Sequence, residues 1–531
     1  MYSIKCKRFK GEIETYLSNE KNIFESRMDR VFRTLNVKTQ MNQVNIRKRD
    51  GYHAAHLLFV LSLLPLLKIP TIHGFCLKRW DHWCMARKDA FYRFQKSPSR
   101  WRSFMYAMMG KISEKLRFEK YPLKKRYFII DDSPIPKRGR NMENVSFIYD
   151  HCAGRTVLGY SLVTLGLFTG ENFYPLDFAY RFGKKRHPKS PKEKIGDPRS
   201  ISGRMSHEAK HQTKVQLALE MIQRAFNCGI RAGYVLFDSW YAWPSLINAI
   251  RHINEDLHVI CRLKDSKVLY EYKGKKYRLS ELYQKVKSSI KKDSRTGLFL
   301  KRVTVTLSDG VEPVVIVFAK GYHEPDDEEP KGKKKSKDPK WVAFLSTDTR
   351  FHASTIIKKY TKRWTIEVCF KECKQLLGLG KDQSNDFNAQ VFSTTASFLR
   401  YNLLNFLNEK ENCNTIGELF QSRVDESATI TYAQRLWDFF RGLFSGSISK
   451  LFDLFNIEEQ CSSYIHAFNC LGERIILKRV FQPHCRQKGI SFLECRGLCQ
   501  NRDAPWLSLS FFCNRPSALT DMHRSRTHRC L

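Results

Sequence analysis

Apolar and polar positions change rhythm twice along the chain. Up to about residue 120, apolar residues recur at helical spacing around Val31, Leu57 and Phe104, with Trp80, Trp83, Tyr92 and Trp101 set among Arg and Lys. From Tyr127 the pattern turns strand-like. The runs YFIID, VSFIYDH, TVLGYSLVTLGLF and FYPLDFAYRF, each bounded by polar or Gly-containing turns, predict consecutive antiparallel strands. A helix is expected from about 211 to 227, with Val215, Leu217, Leu219, Met221, Ile222 and Phe226 on its apolar face and Gly229 at its stop. The strand YVLFD then ends at Asp238, and a further helix follows at about 244 to 252. HVICRLK opens a β-rich stretch through KVLYEY, KKYRLSEL, FLKRVTVTL and VVIVFAKG. The charged segment EPDDEEPKGKKKSKDPK (324–340) reads as a solvated loop, followed by WVAFLSTD and a helix starting near Ser354.

These rhythms divide the chain into a helical, basic region at 1–120, a mixed α/β region at 121–460 with a β-rich insertion at about 257–348, and an irregular tail at 461–531. With 531 residues, 42% of them hydrophobic, the chain can bury two or three cores, which excludes a wholly disordered protein. Charge narrows the field further. The 92 Lys and Arg against 53 Asp and Glu leave +39, suited to a polyanionic partner whose counterions are released on binding. The basic N-terminal helices are therefore a candidate DNA-binding region, although no clear helix-turn-helix stands out. Residues 1–48 are polar throughout, and the longest apolar run, Leu57 to Leu67, is broken by Pro65 and falls short of the roughly 20 residues that a bilayer requires. Neither export nor a membrane partner is expected, and the location implied is cytoplasmic. The cysteines lack the close pairing of a zinc site; Cys369 and Cys373, four apart on a helix, read as core.

Three carboxylates stand where chemistry could use them: Asp131 and Asp238 at strand ends, and Glu367 within a helix. Strand ends at one sheet edge can aim two carboxylates into a common site, an adjacent helix can add a third, and such oxygen donors suit Mg2+ or Mn2+. Singly, each has an ordinary explanation as a turn former or an exposed helix residue. The surroundings of Glu367 are more telling. Tyr360, Arg363, Glu367 and Lys374 lie at offsets that, on one continuous helix, gather them into a single polar stripe, opposite an apolar arc of Ile366, Cys369, Phe370, Cys373, Leu376 and Leu377. On that stripe Arg363 and Lys374 would neutralise phosphates and Tyr360 would donate a hydrogen bond to one.

The run YTKRWTIEVCFKECK (360–374), read as Y-x2-R-x3-E-x6-K, resembles the signature of the DDE transposases of insertion-sequence family four, bacterial enzymes. The resemblance covers roughly residues 127 to 407. It implies an RNase H-like catalytic core with a β-rich insertion between the second Asp and the Glu, a first catalytic Asp in IIDDSPIPKRG, a second in YVLFDSWYAWPSL, and Glu367 as the third. The first site stays open between Asp131 and Asp132; Asp131 leaves Ser133 in the small-hydroxyl position two residues on. The same resemblance implies two divalent ions, Mg2+ or Mn2+, held by Asp131, Asp238 and Glu367; cleavage and strand transfer at the terminal inverted repeats; target DNA as second substrate; and a homodimer in the DNA complex. A nuclease or resolvase on the same fold would share the carboxylates without needing the Tyr-Arg-Glu-Lys stripe. A third reading is a DNA-binding relic whose catalysis has decayed, which the three carboxylates argue against.

Overall fold

The structure is a computed structural model that describes residues 26–48, 51–77, 86–150, 153–170, 172–185, 195–307, 312–323, 340–411, 413 and 415–455. Trp80, Trp83, nearly all of the charged 324–340 segment and the whole 461–531 tail lie outside the described residues. The chain forms two compact units. Among the described residues, one comprises those within 35–65 and 86–417, the other those within 26–34, 66–77 and 418–455.

Among the described residues six helices precede the first strand: α1 (Arg27–Thr34), α2 (Val37–Gln43), α3 (Ala54–Leu63), α4 (Ile72–Leu77), α5 (Lys88–Lys96) and α6 (Trp101–Leu116). α3 is the apolar run identified in the sequence, and it is buried from Leu57 to Leu63. A buried helix end leaves carbonyls to satisfy. Arg400 meets this need by donating to the oxygens of Leu61 at 2.6 Å, Ser62 at 3.2 Å and Leu377 at 2.7 Å.

The sheet begins with β1 (Arg126–Pro136), β2 (Ser146–Asp150), β3 (Arg155–Thr169) and β4 (Asn172–Arg181), the four expected strands. Helices α7 (Ile201–His211) and α8 (Lys214–Asn227) follow. The Thr213 hydroxyl accepts from the Gln216 N–H while the Gln216 side chain accepts from the Thr213 N–H, a reciprocal cap that starts α8; Gly229, at φ +78°, ends its turn. Then come β5 (Tyr234–Phe237), α9 (Pro244–Ile253) and β6 (His258–Leu263). β3 runs antiparallel to β1 and to β4, whereas β1, β5 and β6 are parallel. The order β4-β3-β1-β5-β6 with these directions is that of an RNase H-like core, within a mixed α/β architecture.

The stretch read as β-rich insertion does not stand apart. Its first strand, β6, pairs in parallel with β5 and completes the core. The others are β7 (Tyr270–Tyr272), β8 (Lys275–Tyr277), β9 (Lys291–Lys292), β10 (Phe299–Leu307), β11 (Pro313–Lys320) and β12 (Trp341–Ser346). They extend the same sheet beyond β6 to twelve strands. One expectation fails here: KKYRLSEL is not all strand, because after β8 the chain forms α10 (Leu279–Val286). Leu279, Leu282, Tyr283 and Val286 recur at helical spacing and are buried, and Glu281 accepts from the Arg278 N–H at the helix start.

The C-terminal part supplies α11 (Ala353–Tyr360), a 3-10 turn (Thr361–Arg363), α12 (Trp364–Gln375), α13 (Phe387–Glu411) and α14 (Ile416–Phe455). α8 packs on β3 and β4, α12 on β1, and α13 on β4, α5 and α6. Asp177 on β4 is wholly buried among these helices and accepts from Arg102 at 3.0 Å, Arg224 at 2.8 Å and the Tyr106 hydroxyl at 2.9 Å. Burial by itself would raise this carboxyl; Arg224, Arg102 and the hydrogen bonds bring it below its ordinary range.

Candidate active site

β1 is the central strand of the core, with Phe128, Ile129 and Ile130 fully buried, and its carboxylates begin where this apolar run ends. Successive side chains of a strand leave on opposite faces, so Asp131 and Ser133 share one face and Asp132 takes the other. The contacts agree. Asp131 meets Arg363 at 3.0 Å and Ser133 accepts from Lys374 at 2.7 Å, both on the α12 side. Asp132 meets Lys214 of α8 at 2.6 Å, and also accepts from Tyr241 at 3.1 Å and Ser161 at 3.2 Å.

Asp238 follows directly on β5. Ile129 pairs with Leu236 in the parallel register, so two residues further along each chain come Asp131 and Asp238. The Asp238 carboxylate accepts from the Trp240 N–H at 3.0 Å, and its carbonyl from the Tyr241 N–H at 3.3 Å, which folds the chain back at the strand end. Glu367, in the first turn of α12, is the third carboxylate. One nitrogen of Arg363 joins Glu367 at 2.6 Å and Asp131 at 3.0 Å. This guanidinium is 5% exposed and links the strand carboxylate to the helix carboxylate through a cation.

The electrostatics record the crowding. Burial pushes the Asp131 carboxyl well above its ordinary 3.8; Arg363 opposes this, while Asp238, Asp132 and Glu367 add to it. Asp238 is raised by burial and by Asp132, against Arg363 and the Trp240 N–H. The buried Tyr241 is raised by burial and then by Asp132, Asp131 and Asp238, so its hydroxyl remains a neutral donor. Such a set of hard oxygen donors, mutually repelling and already drawing in a guanidinium, has the chemistry to hold divalent cations. In this conformation no group of three or more His, Cys, Asp or Glu side chains among the described residues is arranged to hold one ion, and Arg363 fills the gap between Asp131 and Glu367.

The signature residues do not form the single stripe expected of a continuous helix. The 3-10 turn at Thr361–Arg363 breaks the helical phase between Tyr360 and Glu367. Tyr360 ends α11 in the core, 1% exposed, with its ring 4.9 Å from that of Phe344 and 5.6 Å from the Arg363 guanidinium. Arg363, Glu367 and Lys374 do come together along β1. The apolar arc holds for Ile366, Cys369, Phe370, Cys373 and Leu377, all buried, while Leu376 is half-buried. Cys369 and Cys373 pack as core, their sulfurs 3.9 Å apart. Sequence reasoning missed Lys214 and Tyr241, the partners of Asp132. The signal for Tyr241 was present in DSWYAW, where a Tyr follows closely on a strand-ending Asp. Trp240 and Trp243 are exposed in the same loop, and Lys214 lies over the Trp240 ring at 4.9 Å.

Strand order and directions define an RNase H-like protein, with Asp238 at the carboxyl end of β5 and Asp131 not at the expected strand end but within β1, just past the residues that pair in parallel with β5. Comparison with known families sharpens the class. The DDE superfamily endonuclease family matches residues 84–279, a span that holds Asp131, Asp132 and Asp238, and the transposase DDE domain family matches residues 202–403, which holds Asp238 and Glu367. Both support a DDE transposase and a nuclease-type enzyme. Such domains generally use divalent metal ions. Among solved structures, one titled "Cryo-EM structure of piggyBac transposase synaptic complex with hairpin DNA" is 12% identical, with 78% of this chain and 82% of that chain covered and a TM-score of 0.40. No curated protein matches the chain in sequence. No described helix is long and apolar enough to cross a membrane.

Proposed function

We propose that this protein is the transposase of a bacterial insertion sequence, acting on DNA in the cytoplasm. It cleaves at the terminal inverted repeats and joins the freed ends to target DNA, as a homodimer holding two ends. The observation that carries the reading is the convergence of Asp131 and Asp238, in register on adjacent parallel strands, with Glu367 tied to Asp131 through Arg363.

Asp131, rather than Asp132, is the first catalytic carboxylate in this reading, because it shares the α12 face with Glu367 while Asp132 is engaged by Lys214 and Tyr241. Two Mg2+ or Mn2+ ions, held by Asp131, Asp238 and Glu367, would activate the attacking oxygen and stabilise the leaving one in an in-line displacement at phosphorus. The chain's own residues do the rest. Lys374, held on Ser133, and Arg363, held on Asp131 and Glu367, offer positive charge to DNA phosphates near the scissile bond. Tyr360, buried under Arg363, fixes the guanidinium against its ring and contributes to DNA binding from that position. The helical segments within 1–120 provide the recognition of the ends, and 121–460 the chemistry.

The test is cleavage of a labelled duplex carrying the inverted repeats that flank the coding region, with Mg2+, for the native chain and Glu367→Gln. Cutting at the repeat ends that the substitution abolishes while binding persists supports the transposase. Binding with no cutting by either protein refutes it in favour of a DNA-binding relic, and cutting without preference for the repeats refutes it in favour of a general nuclease.

A further inference from the structure

The far edge of the twelve-stranded sheet carries a second concentration of charge that the carboxylate site does not use. β7 and β8 form its end, and β9 lies along the same outer side of β10. Exposed here are Lys273, Lys275, Lys276, Lys285, Lys287, Lys291 and Lys292, together with Arg278 and Arg295. The nearby acids are partly committed. Glu281 accepts from the Arg278 N–H, and Asp293 accepts from both the N–H and the hydroxyl of Thr296. Glu271 stands opposite Lys276 in the β7–β8 register, which leaves the other lysines as the excess.

The distance from this edge to the carboxylates follows from the register. One row of paired residues runs straight across the sheet from Phe237, next to Asp238, through Cys261, Leu345 and Ile316 to Val303 on β10. β9 and β7 pair with β10 on either side of that row, and β8 lies one strand beyond β7. At about 4.8 Å per strand, the lysine edge lies roughly 24 to 29 Å from the carboxylate end of β5. Duplex DNA rises about 3.4 Å per base pair, so a duplex lying across the sheet would bring phosphates about 7 to 9 base pairs from the cut against these lysines.

We propose that this lysine edge is a second duplex-binding surface, which clamps the DNA backbone about 7 to 9 base pairs from the scissile phosphate. The inference rests on the transposase reading above but concerns a different part of the chain. Its test is the full-length variant Lys275→Gln/Lys287→Gln/Lys291→Gln/Lys292→Gln, with a linear duplex ending in the flanking inverted repeat as the probe. Each phosphate deprived of its lysine lowers the slope of log affinity against log salt by about 0.9, so four give a fall of about 3.6, and hydroxyl-radical protection disappears at 7 to 9 base pairs from the cut. Cleavage at saturating protein and low salt is retained, because none of the four touches the carboxylates. Lysines on an outer strand also keep edges from pairing with other chains. A variant that aggregates yet binds with an unchanged slope and footprint overturns the proposal in favour of edge protection. If the native protein cuts the repeat ends but never protects that stretch, the clamp alone falls; if it does not bind the duplex at all, the clamp and the transposase reading fall together.

Discussion

Arg363 is the point at which charge, fold and proposed chemistry can be separated by one substitution. Arg363→Met keeps an unbranched apolar stem that stops short of the guanidinium, and removes the cation between Asp131 at 3.0 Å and Glu367 at 2.6 Å. Breaking a buried ion pair typically costs about 3 to 5 kcal/mol because a charge is left uncompensated. Here the guanidinium is 5% exposed but the Glu367 side chain is 31% exposed, so water takes up part of the loss and about 2 to 3 kcal/mol is expected. At about 2 to 4 °C per kcal/mol for a domain of a few hundred residues, thermal unfolding without metal should come roughly 4 to 12 °C earlier. Asp131 is already raised above its ordinary 3.8, so the folded protein holds this proton more tightly than the unfolded chain does. A group raised in the fold costs stability as pH rises through its window, and removing Arg363 widens that window upward. The deficit should therefore be greatest near neutral pH and shrink in acid. On the proposed two-metal reading, a divalent cation would take up the vacated position. Saturating Mg2+, at about 100 times its dissociation constant, contributes about 2.7 kcal/mol, so it should raise the melting temperature of the variant far more than that of the native protein, where it must first displace a guanidinium. Differential scanning calorimetry across a Mg2+ series, with Ca2+ as a second ion, measures this directly. Equal shifts in the two proteins would refute the argument that Arg363 holds a cation's place.

Two further predictions concern the elements that support this site. Tyr241→Phe removes one hydroxyl from Asp132, at 3.1 Å, and so loosens the chain that folds back behind Asp238; cleavage of the repeat ends should fall at least several-fold with DNA affinity unchanged, and a gel assay showing affinity falling in step with cleavage would sink the idea. Asp177→Asn leaves Arg102 and Arg224 without their shared carboxylate and should cost about 3 to 5 kcal/mol in urea unfolding. Because Asp177 is held below its ordinary 3.8, its stabilisation is present above that pH and is lost as pH falls through the depressed value, so the variant should also show a flatter acid limb.

What could be read in the sequence followed from local rules, and what could not was set by pairing. β1 to β4 are written in apolar runs bounded by turn residues, so YFIID and FYPLDFAYRF emerge as strands without knowledge of their partners. The parallel pairing of β6 with β5 has no local signature; HVICRLK is apolar in the same way whether it opens an insertion or closes a core, and only the register with Tyr234 to Phe237 decides it. The phase break at Thr361–Arg363 was hidden for a related reason. The residues TKR carry no Pro or Gly, and nothing in their propensity requires a 3-10 turn. The turn has a chemical consequence. The turn keeps Tyr360 and Arg363 in line, guanidinium 5.6 Å from ring, and both are buried: Tyr360 against Phe344, and Arg363 within reach of both Asp131 and Glu367. The spacing that marks the signature in sequence therefore serves two jobs in the fold, anchoring at one end and compensating carboxylates at the other. The four residues should accordingly fail differently when substituted: Tyr360 through stability and, by way of Arg363, DNA affinity; Arg363 through stability and metal response; Glu367 through cleavage, with the loss of its ion pair to Arg363; and Lys374 through DNA affinity.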